Sequence, residues 1–176
     1  MNEPRRNLVI TPLPAATPEV GRWLGVLADT RARTLETLEE LDPAALDWPV
    51  PGGNAIGTLL AHIAAIEMDW LYAEILEQEI PPQVLVYLPE AVRDAEGNLF
   101  VVAGLPLEEH LARLAATRAI FVSELQRLSR DDFYRPRSLP QYDVTPEWVL
   151  HHLAHHEAGH RSDILTVMRE FACYRR

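Results

Sequence analysis

Lysine is missing from this chain: all 16 basic residues are arginine, a bias we read as genome composition rather than mechanism. Against them stand 26 acidic residues, so the net charge is −10. That balance argues against nucleic acid or an anionic membrane surface as a partner. Cysteine occurs once, as Cys173, which excludes an internal disulfide framework and fits a reducing, cytoplasmic setting. Serine occurs four times and never in a Gly-x-Ser-x-Gly elbow, so a Ser-His-Asp triad is not indicated. No phosphate-binding glycine loop is present. No apolar run approaches the ~18 residues needed to span a bilayer. Arg5 and Arg6 before Leu8, Val9 and Ile10 mimic the start of a signal peptide. Thr11, Pro12 and Pro14 cut that run short of the ~7–15 residues of an h-region. Residues 1–16 are expected to be an arm on a cytoplasmic protein.

What is present reads as one globular domain over residues 1–176, since 48% of the residues are apolar and 24% charged, too apolar for wholesale disorder. Proline-rich separators divide four segments of helical periodicity, expected at about 18–41, 55–80, 106–129 and 146–171. Thr17-Pro18-Glu19 and Thr145-Pro146-Glu147 are matched helix openings: a capping hydroxyl, proline at the first position, then an acid at the positive end of the dipole. Asn54 is the expected cap of the second helix, and Pro81-Pro82 its stop. Between the second and third helices, Val84–Tyr87 and Leu99–Val102 are β-prone, with Asp94–Asn98 as a turn, which predicts a short hairpin within 84–102. The fold class that follows is all-α, a four-helix bundle with long connections.

Five of the seven histidines crowd into residues 151–160. At about 100° per residue, Val149, Leu153, His156, His160, Ile164, Val167 and Phe171 share one inward stripe. His152 and Asp163 flank it, while His151 and His155 point to solvent. Imidazoles at i and i+4 can converge on one ion of zinc, nickel or iron. The same pair also reads as core histidines held by hydrogen bonds. A third ligand has to come from a facing helix, where only His62 and His110 remain. His62 stands roughly 70° off the centre of its helix's apolar stripe, a position for an edge residue or for one facing a neighbouring helix. His110 follows Glu108-Glu109 and reads as surface.

His156-Glu157-Ala158-Gly159-His160 also fits the H-E-x-x-H pattern of zinc proteases. Those enzymes take a third ligand further along the chain. Here only 16 residues follow His160, with no histidine and with Asp163, Glu170 and Cys173 as donors. The match reads as a coincidence of a histidine-rich helix.

Two stretches, Asn54–Trp70 around His62 and His152–Ile164, resemble the DinB/YfiT-like superfamily of metal-binding four-helix bundles. The resemblance implies that His62, His156 and His160 are the metal ligands. Ser162-Asp163 stand where many members carry Gly-Gln, which puts the substrate in doubt more than the metal, and Asp163 can add a carboxylate or orient a ligand histidine. Glu67 reads as a hydrogen-bond acceptor beside the ligands, a general base, or a solvated or salt-bridged helix residue. His152 reads as a ligand-orienting or alternative ligand residue, and Arg161 as a substrate-carboxylate or surface residue. No catalytic residue is assigned.

Three neutral histidines leave coordination positions open, as in catalytic sites. The resemblance implies a transferase or isomerase that activates a low-molecular-weight thiol such as bacillithiol, mycothiol or glutathione against a small electrophile. The competing class is a non-catalytic metal- or ligand-binding stress-response module. A homodimer is expected from the apolar length of the first two helices and from the resemblance.

Overall fold

Proline opens the first and last long helices, where its missing N–H has no intrahelical partner to lose. The structure, a computed structural model, describes residue 5 and residues 7–88 and 91–176. Residues 1–4 and 6 of the expected arm, and residues 89 and 90 inside the expected hairpin, lie outside this description. Helix α1 spans Pro18–Leu38, α2 Ile56–Trp70, α3 Pro82–Leu85, α4 Leu107–Leu125, α5 Arg130–Tyr134 and α6 Pro146–Tyr174. The two strands, β1 (Arg137–Ser138) and β2 (Asp143–Val144), pair antiparallel between α5 and α6. The Thr145 hydroxyl accepts from the Trp148 N–H, as its cap position predicts. The Thr17 side chain makes no such bond at α1, and Ala55 rather than Asn54 stands at the α2 cap.

The α-helical geometry of α2 stops earlier than the expected residue 80. It passes at Leu71–Ile75 into a π-helical turn, where the Leu76 N–H reaches back five residues to the Leu71 carbonyl at 2.9 Å. The β-prone Val84–Tyr87 stretch is not a strand. Pro81-Pro82 starts the short α3 there, because proline at N1 pre-sets the helical φ and outweighs local β propensity. Of the expected hairpin, the bridge between Arg93 and Leu99 closes the Asp94–Asn98 turn. The two-stranded sheet lies in the other long connection.

Helix α1 packs on α6, and α2 packs on both α4 and α6. That placement leaves α2 no solvent face along its first ten residues, all of which are buried. Residues 7–15 run extended along α1, and the Leu13 N–H donates to the Gly21 carbonyl at 3.0 Å. A Cβ on Gly21 would stand 2.5 Å from the Leu13 carbonyl oxygen, and Gly25 meets Thr11 in the same way, so the arm needs glycine beneath it.

The apolar core has two halves. Leu24, Met68, Phe121 and Leu150 belong to one; Leu38, Leu60, Leu114 and Ile164 belong to the other. Each long helix carries one charged residue in sequence between its contributions to the two halves: Arg31, Glu67 and Glu157, which are buried, and Arg118, which is half-buried. Arg31 Nε donates to Glu157 Oε1 at 2.6 Å, Arg118 Nε to Glu67 Oε1 at 2.5 Å, and Arg118 Nη2 to Glu157 Oε2 at 2.9 Å. The arginines also donate to the Leu114 and Leu27 carbonyls, at 2.9 and 2.8 Å. Two positive and two negative charges thus form a neutral layer, the condition under which buried ions are tolerated. Among the described residues no helix is long and apolar enough to cross a membrane.

Candidate metal centre

Helical periodicity places His156 and His160 one turn apart on α6, and the packing of α2 against α6 brings His62 to them. The Nε2 atoms of His156 and His62 are 3.1 Å apart, and those of His160 and His156 are 3.2 Å apart. One ring nitrogen from each of the three lies within 4.8 Å of the others. Two nitrogens on a tetrahedral ion at ~2.0–2.1 Å would be separated by roughly 3.3 Å, so the observed spacing suits a shared cation. His62 is 5% exposed, and His156 and His160 are half-buried.

Electrostatics prepares His62 and His156 as neutral donors. Burial, followed by the charges of His160 and Arg93, lowers His62 to about 4. Burial and the neighbouring histidines, with a smaller contribution from Arg93, lower His156 to about 3. Asp163 Oδ2 stands 3.0 Å from His160 Nδ1, the nitrogen remote from the cluster. A proton on that nitrogen satisfies the carboxylate and leaves the Nε2 lone pair facing His156 and His62. Among the described residues His62 Nδ1 is buried with no partner, and the ring's close polar neighbour, His156, is on the Nε2 side.

The other sequence candidates lie elsewhere. Glu67 is 2% exposed and bonded to Arg118 in the ion layer, so neither solvation nor a hydrogen bond to a ligand histidine describes it. The four-helix packing draws it inward, where an arginine from α4 is its partner. Glu157 is turned into the same layer, away from its sequence neighbour His156. His152 stacks on Trp148, with ring centroids 5.2 Å apart and planes 6° apart, and lies 5.8 Å from the His156 ring. Arg161 is half-buried and makes no hydrogen bond or ion pair among the described residues. His151 and His155 are exposed.

His110, expected at the surface, is 1% exposed, and among the described residues both its ring nitrogens lack partners. The first turn of α4 sits on the first turn of α2, where a Cβ at Gly57 would stand 3.0 Å from His110 Nε2. A side chain at that position would press on the ring and on the Asp47 carboxylate, 3.1 Å away. Sequence reasoning also missed Arg93, whose charge reaches His62 and His156 from the connection between α3 and α4. An exposed arginine in a turn carries no periodic signal that would have found it.

A family model described as the DinB superfamily matches residues 27–164. The fold is similar to that of YfiT from Bacillus subtilis, described as a probable metal-dependent hydrolase with an unusual four-helix bundle topology. That similarity has a TM-score of 0.60 at 17% identity and covers 97% of this chain and 94% of that one. No curated protein matches the chain.

Proposed function

The chain belongs to the DinB superfamily, and on that premise we propose that His62, His156 and His160 hold one divalent ion of zinc, nickel or iron in a metal-dependent enzyme. Its reaction is the attack of a low-molecular-weight thiol, such as bacillithiol, mycothiol or glutathione, on a small electrophile. The observation that carries this reading is the convergence of three Nε2 atoms at 3.1–3.2 Å steps from two helices. A bound ion of this kind supplies Lewis acidity that turns a thiol or a water into a nucleophile near neutral pH.

The side chains have separate tasks in this reading. His62 and His156 are kept neutral by burial, so loading near pH 7 expels no proton from either ring. Asp163 holds the Nδ1 side of His160 and aims its Nε2. Glu67 and Glu157 are committed to Arg118 and Arg31 and take no part in proton transfer. With three protein ligands, room remains for a nucleophile. Sulfur is favoured by the affinity of soft thiolate for zinc.

Water as the nucleophile is the second reading, favoured by the description of YfiT as a probable metal-dependent hydrolase. Elemental analysis of untagged protein, followed by thiol titration of the cobalt-substituted form, separates the two. One ion per chain and a thiol-induced sulfur-to-cobalt band support thiol chemistry. A bound ion with no thiol response, together with ester or amide hydrolysis, supports the hydrolase. A coordinatively saturated ion with neither response leaves a non-catalytic module. A homodimer belongs to the same proposal and is read by sedimentation.

A further inference from the structure

Three aromatic side chains from three elements meet beside His152. Trp70 ends α2, Trp148 lies in the first turn of α6, and Tyr142 stands in the turn between β1 and β2, closed by the Leu139 N–H donating to the Tyr142 carbonyl at 2.9 Å. The Trp70 and Trp148 rings are 5.5 Å apart; those of Trp70 and Tyr142 are 6.4 Å apart and nearly parallel, at 17°. With Pro136, Asp143 and Val144 they line a hollow of about 620 Å³. Trp148 and Tyr142 remain 49% and 44% exposed, so their faces are not spent on the core. The hollow adjoins the candidate centre through the His152 ring, which is 4.4 Å from Trp70 and 5.8 Å from His156.

Charge decides what such a hollow accepts. Among the described residues its wall contains Asp143 and no basic side chain. Tyr142 donates its hydroxyl proton to Glu74 Oε1 at 2.9 Å, which leaves its ring richer in electrons. Glu74 lies on the π-helical turn that follows Trp70, is 6% exposed, and its second carboxylate oxygen is buried without a partner among the described residues. Burial, the bond to Glu74, and the charges of Glu74 and Asp69 push the Tyr142 phenol up. Arg93 belongs to the α3–α4 connection and is not part of this wall.

We infer that the hollow formed by Trp70, Tyr142 and Trp148 binds an organic cation, a quaternary ammonium or protonated alkylamine borne by the small molecule that reaches the histidine cluster. As a substrate subsite it rests on the metal-dependent reading above; as a cation site it does not. Aromatic faces attract a cation through their quadrupoles, and the Asp143 carboxylate adds to that attraction. A neutral group of the same shape gains burial alone, and an anion meets repulsion.

Isothermal titration of metal-loaded and metal-free protein with choline tests this. The uncharged isostere 3,3-dimethylbutan-1-ol and the anion 3,3-dimethylbutanoate serve as competitors. Choline is expected to bind at least about tenfold more tightly than the alcohol. Trp148→Leu abolishes binding, and Asp143→Asn weakens choline but not the alcohol. Equal binding of the alcohol, preference for the anion, or no choline binding overturns the inference. Because Asp143 is exposed, its variant keeps the test sharp even if Trp148→Leu disturbs the start of α6. The two proposals fail separately. Choline binding without metal at the histidines sinks the enzyme reading alone, and one ion per chain without choline binding sinks this one alone.

Discussion

Arg31 of α1 reaches Glu157 of α6 across the middle of the bundle, Nε to Oε1 at 2.6 Å and Nη2 to Oε2 at 3.3 Å. Glu157 precedes His160 by three residues, in the position of the general base in an H-E-x-x-H helix. Its carboxylate instead neutralises Arg31 and Arg118 on a different face of α6. A residue adjacent to a histidine in sequence lies about 100° around the helix from it. Here that rotation carries it from the candidate metal centre into the ion layer.

Glu157→Gln should therefore act on stability first. It leaves Arg31 and Arg118 with only Glu67 as a carboxylate partner, and breaking a buried pair from one side costs about 3–5 kcal/mol. Urea unfolding should show a lower midpoint with an unchanged slope. Native-like stability with loss of activity would assign Glu157 to the chemistry instead.

Chelation should destabilise the wild-type protein, because an ion bound only to the folded state adds RT ln(1 + [L]/Kd) to its stability. At a hundredfold excess over Kd this is about 2.7 kcal/mol, or roughly 5–10 °C for a chain of this size. His62→Ala and His160→Ala should each lower metal content and abolish the melting response to chelator. Unchanged stoichiometry in both variants rejects the site.

Asp163→Asn tests the hydrogen bond behind His160. The Asp163 side chain is 61% exposed, so the metal-free protein should keep its stability within about 0.5 kcal/mol. Losing the partner that orients a ligand histidine should weaken metal binding about 10–100-fold, measured by competition with a chromophoric chelator. An unaltered affinity would mean that α6 alone aims the ring.

His110 should make the fold sensitive to acid. Burial holds its imidazole below the ordinary value, helped by Arg113 and partly opposed by Asp47 and Glu109. As pH falls through about 6.5, the unfolded chain takes up a proton that the folded chain resists. This contribution to stability is complete above that pH and is lost progressively below it, towards the folded-state value. With chelator present throughout, urea midpoints from pH 8 to 5 should fall less steeply in His110→Gln than in wild type. Parallel profiles would show that His110 is protonated without penalty.

The run from Val149 to Phe171 shows what the sequence determined unaided. Apolar residues and histidines recur there at helical spacing, so His156 and His160 had to share a face on any α-helix. Proline at residues 18 and 146 likewise set where the long helices begin. Val84–Tyr87 marks the limit of local reasoning, since its β propensity was weaker than the prolines before it. Tertiary structure alone decided the rest. An off-centre His62 became buried because α2 is enclosed by α4 and α6, and its ring meets α6 only through their packing. Arg31, Glu67, Arg118 and Glu157, each indistinguishable in sequence from a solvated helix charge, turn inward because two other helices supply the counter-charges of each. Helical periodicity is a property of one strand of chain, whereas burial of a charge or convergence of ring nitrogens depends on residues up to 126 positions apart.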